Sequence, residues 1–209
     1  MGVLVLLVVS TARLPADDAA LIRVLQARGF SSLYEEAFSS GSLLLLPPGD
    51  AAALLFNERT GLDVSERDAL LIVFLERAAT RGARASLVSE LSFRFDRIMD
   101  WTLTALIIET SVLAETAALD AGTLISVTER ILDAMESHDV SGGGPERAAR
   151  ALALVVAADR GASLRGAAEK LVLAETLRAI ARISRDATTV RALTSAGRAL
   201  VSHAGTIPN

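Results

Sequence analysis

The chain contains no cysteine, and that absence removes disulfides, thiolate metal ligands, iron–sulfur clusters and cysteine nucleophiles together. Histidine is almost as scarce. His138 and His203 are the only two, so a multi-histidine metal site cannot be assembled within one chain. Of the 21 basic residues only Lys170 is a lysine, and aromatics make up 4% of the sequence, which leaves few rings for stacking or for anchoring an apolar ligand. Neither a nucleophile-elbow serine, a dinucleotide-binding glycine pattern nor a zincin motif occurs. The glycine run in Ser141-Gly142-Gly143-Gly144-Pro145 lacks the Lys-Ser/Thr of a phosphate loop, and Glu146 brings negative charge to the place a phosphate would occupy. These gaps point to no cofactor and no metal, and they make the glycine run a linker.

Long apolar runs are missing too. Met1 to Val9 holds about half of the ~20 residues a membrane span requires, and no basic residue precedes it as a signal peptide needs. Glu109 and Glu115 interrupt the apolar stretch from Trp101 to Leu119, and a carboxylate at mid-bilayer depth is costly. The expectation is a protein with no membrane span and a cytoplasmic, intracellular location.

What the chain does have is alanine, leucine and valine. Hydrophobic residues reach 51% with a mean hydropathy of +0.42, and alanine and leucine are the strongest helix formers. The fold class expected is mainly α: a compact multi-helix bundle, with a short N-terminal β-containing unit if Val3 to Val9, Phe30 to Phe38 and Ser42 to Leu46 are strands. An apolar excess of this size needs covering, which points to a homo-oligomer or a protein partner.

Helical patterns follow along the chain: Pro15 to Arg28 ended by Gly29, Ala51 to Arg59 ended by Gly61, and a central helix capped by Ser65. The last contains seven consecutive apolar residues, Ala69 to Leu75. Another stretch runs from Ser86 to Leu119 with a break near Phe95, and Ser126 with Glu129 has capping-box spacing. Beyond the glycine run come Glu146 to Asp159, Leu164 to Arg182 and Arg185 to Ser202. The organisation expected is therefore an acidic, strongly apolar domain over 1–140 and a three-helix segment over 145–204 packed upon it. Charge divides the same way, with 11 basic and 19 acidic residues in 1–138 against 10 and 6 in 139–209.

Three functions compete. The first is a non-enzymatic interaction or assembly protein that binds itself or a partner, with Trp101, Phe95 and Phe74 as its aromatic anchors. The second rests on Ser163-Leu164-Arg165-Gly166-Ala167-Ala168-Glu169-Lys170-Leu171 and the stretch to Arg185, which resembles a helix-turn-helix with its turn at Val172. That resemblance implies a nucleic-acid-binding regulator whose region 163–185 contacts DNA through Arg165, Lys170, Arg178, Arg182 and Arg185. The same residues also read as one amphipathic helix with Leu164, Ala168, Leu171, Leu177 and Ile180 facing a core. The third is an enzyme built from carboxylates and arginines. Asp96 and Asp100 at i,i+4 could share a face suited to Mg²⁺, Glu109 and Glu115 lie in apolar surroundings, and His138 sits between Glu136 and Asp139.

Overall fold

The computed structural model describes residues 15–113, 120–137, 143–159, 164 and 166–205. Among these residues there are nine α-helices and no strand, so the mainly α expectation holds and the β-containing unit does not. Val3 to Val9 lie outside the described residues. The other two candidate strands are resolved otherwise: Phe30 to Phe38 are helical, and Ser42 to Leu46 form a turn in which Leu46 N donates to Leu43 O at 3.0 Å.

Helix α1 (Pro15–Ser40) buries Ile22, Leu25, Leu33 and Ala37 on one stripe. Gly29 interrupts it with φ +69° and ψ 166°, a conformation that side chains with a Cβ rarely adopt. The helix ends at Gly29 as its sequence suggests and then restarts at once. Helix α2 (Pro48–Leu55) begins with proline, whose missing N–H costs nothing in a first turn. A 3₁₀ turn (Glu58–Thr60) follows, and left-handed Gly61 closes it.

Helix α3 (Val64–Arg77) is capped by Asp63 rather than Ser65. Glu66 N donates to the Asp63 carboxylate at 2.8 Å and Asp63 N donates to the Glu66 carboxylate at 3.2 Å, a reciprocal capping box. Its Leu70, Leu71, Val73, Phe74 and Leu75 are all buried, as the unbroken apolar run demands. Thr80 caps α4 (Arg81–Ser92), Asp100 caps α5 (Trp101–Leu113) through Leu103 N at 2.9 Å, and Asp120 caps α6 (Ala121–Glu136) through Thr123 N at 2.8 Å. Ser126 and Glu129, with the spacing of a cap, lie inside α6 instead. Then come α7 (Gly144–Asp159), α8 (Ala167–Ile183) and α9 (Ala187–Ala204).

Helix α1 packs on α3, α2 on α4, and both α3 and α4 on α5. Next, α5 packs on α7, α6 on α7 and α8, and the C-terminal helices α7 and α8 both pack on α9. Contacts therefore cross the boundary marked by the glycine run. Gly144 makes one of them close: a Cβ there would stand 2.7 Å from Trp101 Cβ.

The interior also contains one ion pair. Arg67 and Asp68, 7% and 2% exposed, are joined by two hydrogen bonds of 2.9 and 2.8 Å from the guanidinium to Asp68 Oδ1. Asp68 Oδ2 accepts from Met99 N and Asp100 N at 3.2 Å each, and Arg67 donates to Arg97 O at 2.6 Å. The pair thus grips residues 97–100, the connection into α5. Around it the Arg67, Arg94 and Arg97 guanidiniums lie 4.5, 5.5 and 5.3 Å from the Phe56 ring centre, a cation–π arrangement.

Replacing Asp68 by alanine strands a buried guanidinium and two amides, so a loss of about 3–5 kcal/mol is expected in urea denaturation, with a smaller loss for the Arg67→Met/Asp68→Leu double variant. Gly144→Ala is expected to lose about 1–3 kcal/mol through overpacking and to shift the emission of Trp101, the only tryptophan.

Candidate functional site

The most exposed large apolar side chains of the first helices gather where α1 ends. Phe30, Tyr34 and Phe38 stand one turn apart along α1, with ring centres 5.5 and 6.5 Å apart, and they carry three of the chain's eight aromatic rings. Phe38 is 53% exposed, and the Arg77 guanidinium from the end of α3 lies 4.2 Å from its ring centre. Beside it, the turn after Gly41 holds Leu44 and Leu45 at φ 52° and 57°, left-handed values that are uncommon for a leucine. The Glu36 carboxylate, which also pairs with Arg28, accepts from Leu44 N at 2.9 Å and helps hold that turn. Leu45 projects from it 93% exposed.

The aromatic residues marked out by sequence sit elsewhere. Phe74 and Phe95 are buried within the chain's own core, and Trp101 is half-buried beneath the Arg130 guanidinium, 5.6 Å from its ring. Arg130 donates to Phe95 O and Ile98 O at 2.7 and 2.9 Å. Burial lowers its pKa below the ordinary arginine range, against the opposing pull of Asp96. Sequence reasoning passed over Phe38 and Leu45, although an aromatic stripe at four-residue spacing was visible in α1.

The carboxylates are largely occupied with holding structure. Asp96 lies in the 3₁₀ turn Phe95–Arg97 and Asp100 is the cap of α5, so the two do not share a helix face. Glu109 receives a two-pronged contact from Arg147 of α7 at 3.0 and 2.7 Å, and that hydrogen bonding raises the Arg147 pKa. Glu115, His138 and Asp139 lie outside the described residues. A cleft of about 570 Å³ opens between the end of α4 and the start of α6, lined by Ser89, Ser92, Phe93, Asp96, Asp120 and Thr123. Among the described residues that line it there is no histidine or basic side chain. Among the described residues no group of three or more histidine, aspartate or glutamate side chains is placed to hold a metal ion, and no helix is long and apolar enough to cross a membrane.

In the C-terminal segment, α8 runs unbroken through Val172, so the turn implied by the helix-turn-helix resemblance is absent. The amphipathic reading fits in part. Leu164, Leu173, Leu177 and Ile180 are buried, whereas Ala168 and Leu171 face outward. Of the arginine set, Arg178, Arg182 and Arg185 are exposed, Lys170 is buried, and Arg165 lies outside the described residues.

The turn between α8 and α9 is held from a distance by Glu146. Its carboxylate accepts from the Ser184 hydroxyl and from Arg185 N and Asp186 N at 3.0 and 2.8 Å. Asp186 in turn caps α9 through the Thr189 amide and hydroxyl at 2.8 and 2.7 Å. Burial would raise the Glu146 pKa, but the three donors together outweigh it and bring it below the usual carboxylate value. The Thr189 contacts lower Asp186. The first turn of α9 is thus capped by Asp186, and Glu146 fastens the two amides that lead into it.

Comparisons with family models, curated proteins and solved structures find no match for this chain.

Because folding lowers both carboxyl pKa values, their stabilisation is complete above the unfolded range, about 4, and is lost as pH falls through the lower folded values. Glu146→Gln is expected to cost about 1 kcal/mol near neutral pH, reduced by solvent screening. Thermal melts from pH 7 to 3 should show a shallower acid loss in the variant than in the parent.

Proposed function

We propose that this chain is a non-catalytic helical assembly protein that associates with a second copy of itself through the surface around Phe38 and Leu45, and that it works in the cytoplasm. The observation carrying the reading is Leu45: a leucine held in a left-handed turn and 93% exposed. Such a backbone costs of order 1 kcal/mol, and water gives an isolated leucine no return for it. Exposed apolar side chains rimmed by polar groups are what a docking surface supplies. Phe38 adds a ring beside it, and Arg77 adds a cation already in contact with that ring.

Two further features support the same reading. The composition is more apolar than one small core requires. Glu36, Asp68, Glu109, Glu146 and Asp186, which could otherwise serve as catalytic groups, are engaged as caps, latches and ion pairs.

Size-exclusion chromatography with light scattering tests this directly. The expected result is a species heavier than the 21.9 kDa protomer that shifts towards monomer in the Phe38→Ser/Leu45→Asp variant with its circular dichroism unchanged. A parent protein that stays monomeric at the highest attainable concentration overturns self-association, and a dimer indifferent to both substitutions overturns this surface.

A further inference from the structure

We infer that the groove between α8 and α9 is a phosphate-binding surface that takes the phosphodiester backbone of a nucleic-acid strand. The proposal stands apart from self-association, because it uses the opposite end of the chain and polar rather than apolar side chains. A groove of about 270 Å³ runs between the two helices, with Ala181, Val190 and Thr194 along it and Arg178 and Arg182 at its edge. The two arginines are four residues apart on one helix, so their guanidiniums project side by side, about 6 Å along the axis. The helices approach closely because α9 carries Gly197 where they meet, 3.5 Å from Ala174 O and 3.9 Å from Arg178 Cγ when a Cβ is placed on it.

The charge around this groove is one-sided. Residues 166–205 contain six lysine and arginine side chains against three acidic ones, and Glu146 of α7 adds a fourth carboxylate at the turn. Asp186 caps α9, Glu169 belongs to the first turn of α8, and Glu175 forms an exposed ion pair with Arg178 at 3.1 Å, a type of contact that contributes little. Arg182 and Arg198 make no ion pair or side-chain hydrogen bond within the described residues. Five exposed arginines, Arg178, Arg182, Arg185, Arg191 and Arg198, are distributed over both helices and the turn between them. Two of them, Arg178 and Arg182, line the groove; five are more than one phosphate needs, and guanidinium forks match phosphate oxygens two at a time.

A repeating anion such as a nucleic-acid backbone is the ligand that would use the groove pair together with the exposed arginines on the same hairpin. Helix-terminus chemistry does not contribute, because Asp186 already caps the first turn of α9 through Thr189 N and Glu146 holds the two amides just ahead of it. Binding therefore rests on side-chain charge and is independent of base sequence.

The test is fluorescence anisotropy of the full chain with labelled single-stranded and duplex oligonucleotides of mixed sequence, titrated from about 30 to 200 mM salt. The expected result is salt-dependent binding that Arg178→Gln/Arg182→Gln weakens about tenfold or more, with a salt slope shallower by about 1.5–2. Arg23→Gln on α1, an exposed arginine far along the chain, should leave both unchanged. Absence of binding at the lowest salt overturns the proposal, as does equal loss in the Arg23 variant. Competition by polyglutamate as effective as by unlabelled oligonucleotide overturns the phosphate assignment in favour of an acidic protein partner. Saturation by inorganic phosphate without any oligonucleotide binding overturns the strand in favour of the free ion.

Discussion

Arg67 and Asp68 are neighbours in sequence, and on a helix neighbours point apart; here both are nevertheless buried, and the arginine bends round to its own neighbour. What makes that arrangement stable is the rest of its contacts. Arg67 Nη2 and Asp68 Oδ2 find partners in the connection between α4 and α5, and Arg97 O, Met99 N and Asp100 N of that connection are in turn satisfied by the pair. The start of α5 is thereby fixed on α3, and α5 then presents Glu109 to Arg147 and Trp101 to Gly144. The junction between the two halves of the molecule depends on a charge pair that replacement of one member would leave uncompensated.

A pattern follows for the other charged groups. Arginine guanidiniums close on backbone carbonyls at Phe56, Ala78, Ile98 and Arg97, where helices and turns end, and also at Phe95 O, which accepts from Ile98 N as well. Carboxylates close on amides at the starts of helices. In a bundle assembled mostly from alanine and leucine, whose side chains offer no directional contact, these polar groups set how the helices join. Arginine suits the task because it keeps its charge when buried and offers five donors.

Helix content was legible because alanine- and leucine-rich periodicity is a local signal, and the buried run Ala69 to Leu75 announced its own position. Caps were harder. Asp63 and Ser65 both lie where the sequence turns into α3, and the cap falls to Asp63, the residue three before Glu66, which gives the reciprocal pair and leaves Ser65 inside the first turn. Ser126 and Glu129 have that same spacing inside α6, where the backbone amides already have helical partners. Glu109 announced a need for a partner, yet Arg147 lies 38 residues away, and nothing local in the chain points to it. The β-like look of Ser42 to Leu46 misled because four consecutive leucines fit a buried strand, whereas Gly41 and two prolines enforce a turn. Phe74 and Phe95 were read as anchors from residue type alone, and type does not distinguish a core ring from a surface one. Unbroken α8 shows the same limit: small residues at Ala167 and Ala168 permit a tight helix crossing without requiring one.

The Glu146 latch has a consequence for the order in which the chain can be completed. Helices α8 and α9 are joined by three residues, so their hairpin closes over a short loop at small entropic cost. Glu146 lies 38 to 40 residues ahead of the groups it holds. On a ribosome adding about 5–20 residues per second, those groups emerge some seconds after Glu146 does. During that interval the carboxylate sits at the start of α7 with nothing to accept from. This fastening of α7 to the hairpin of α8 and α9 can form only once the turn at Ser184 has been made, so it waits on the synthesis of the whole of α8.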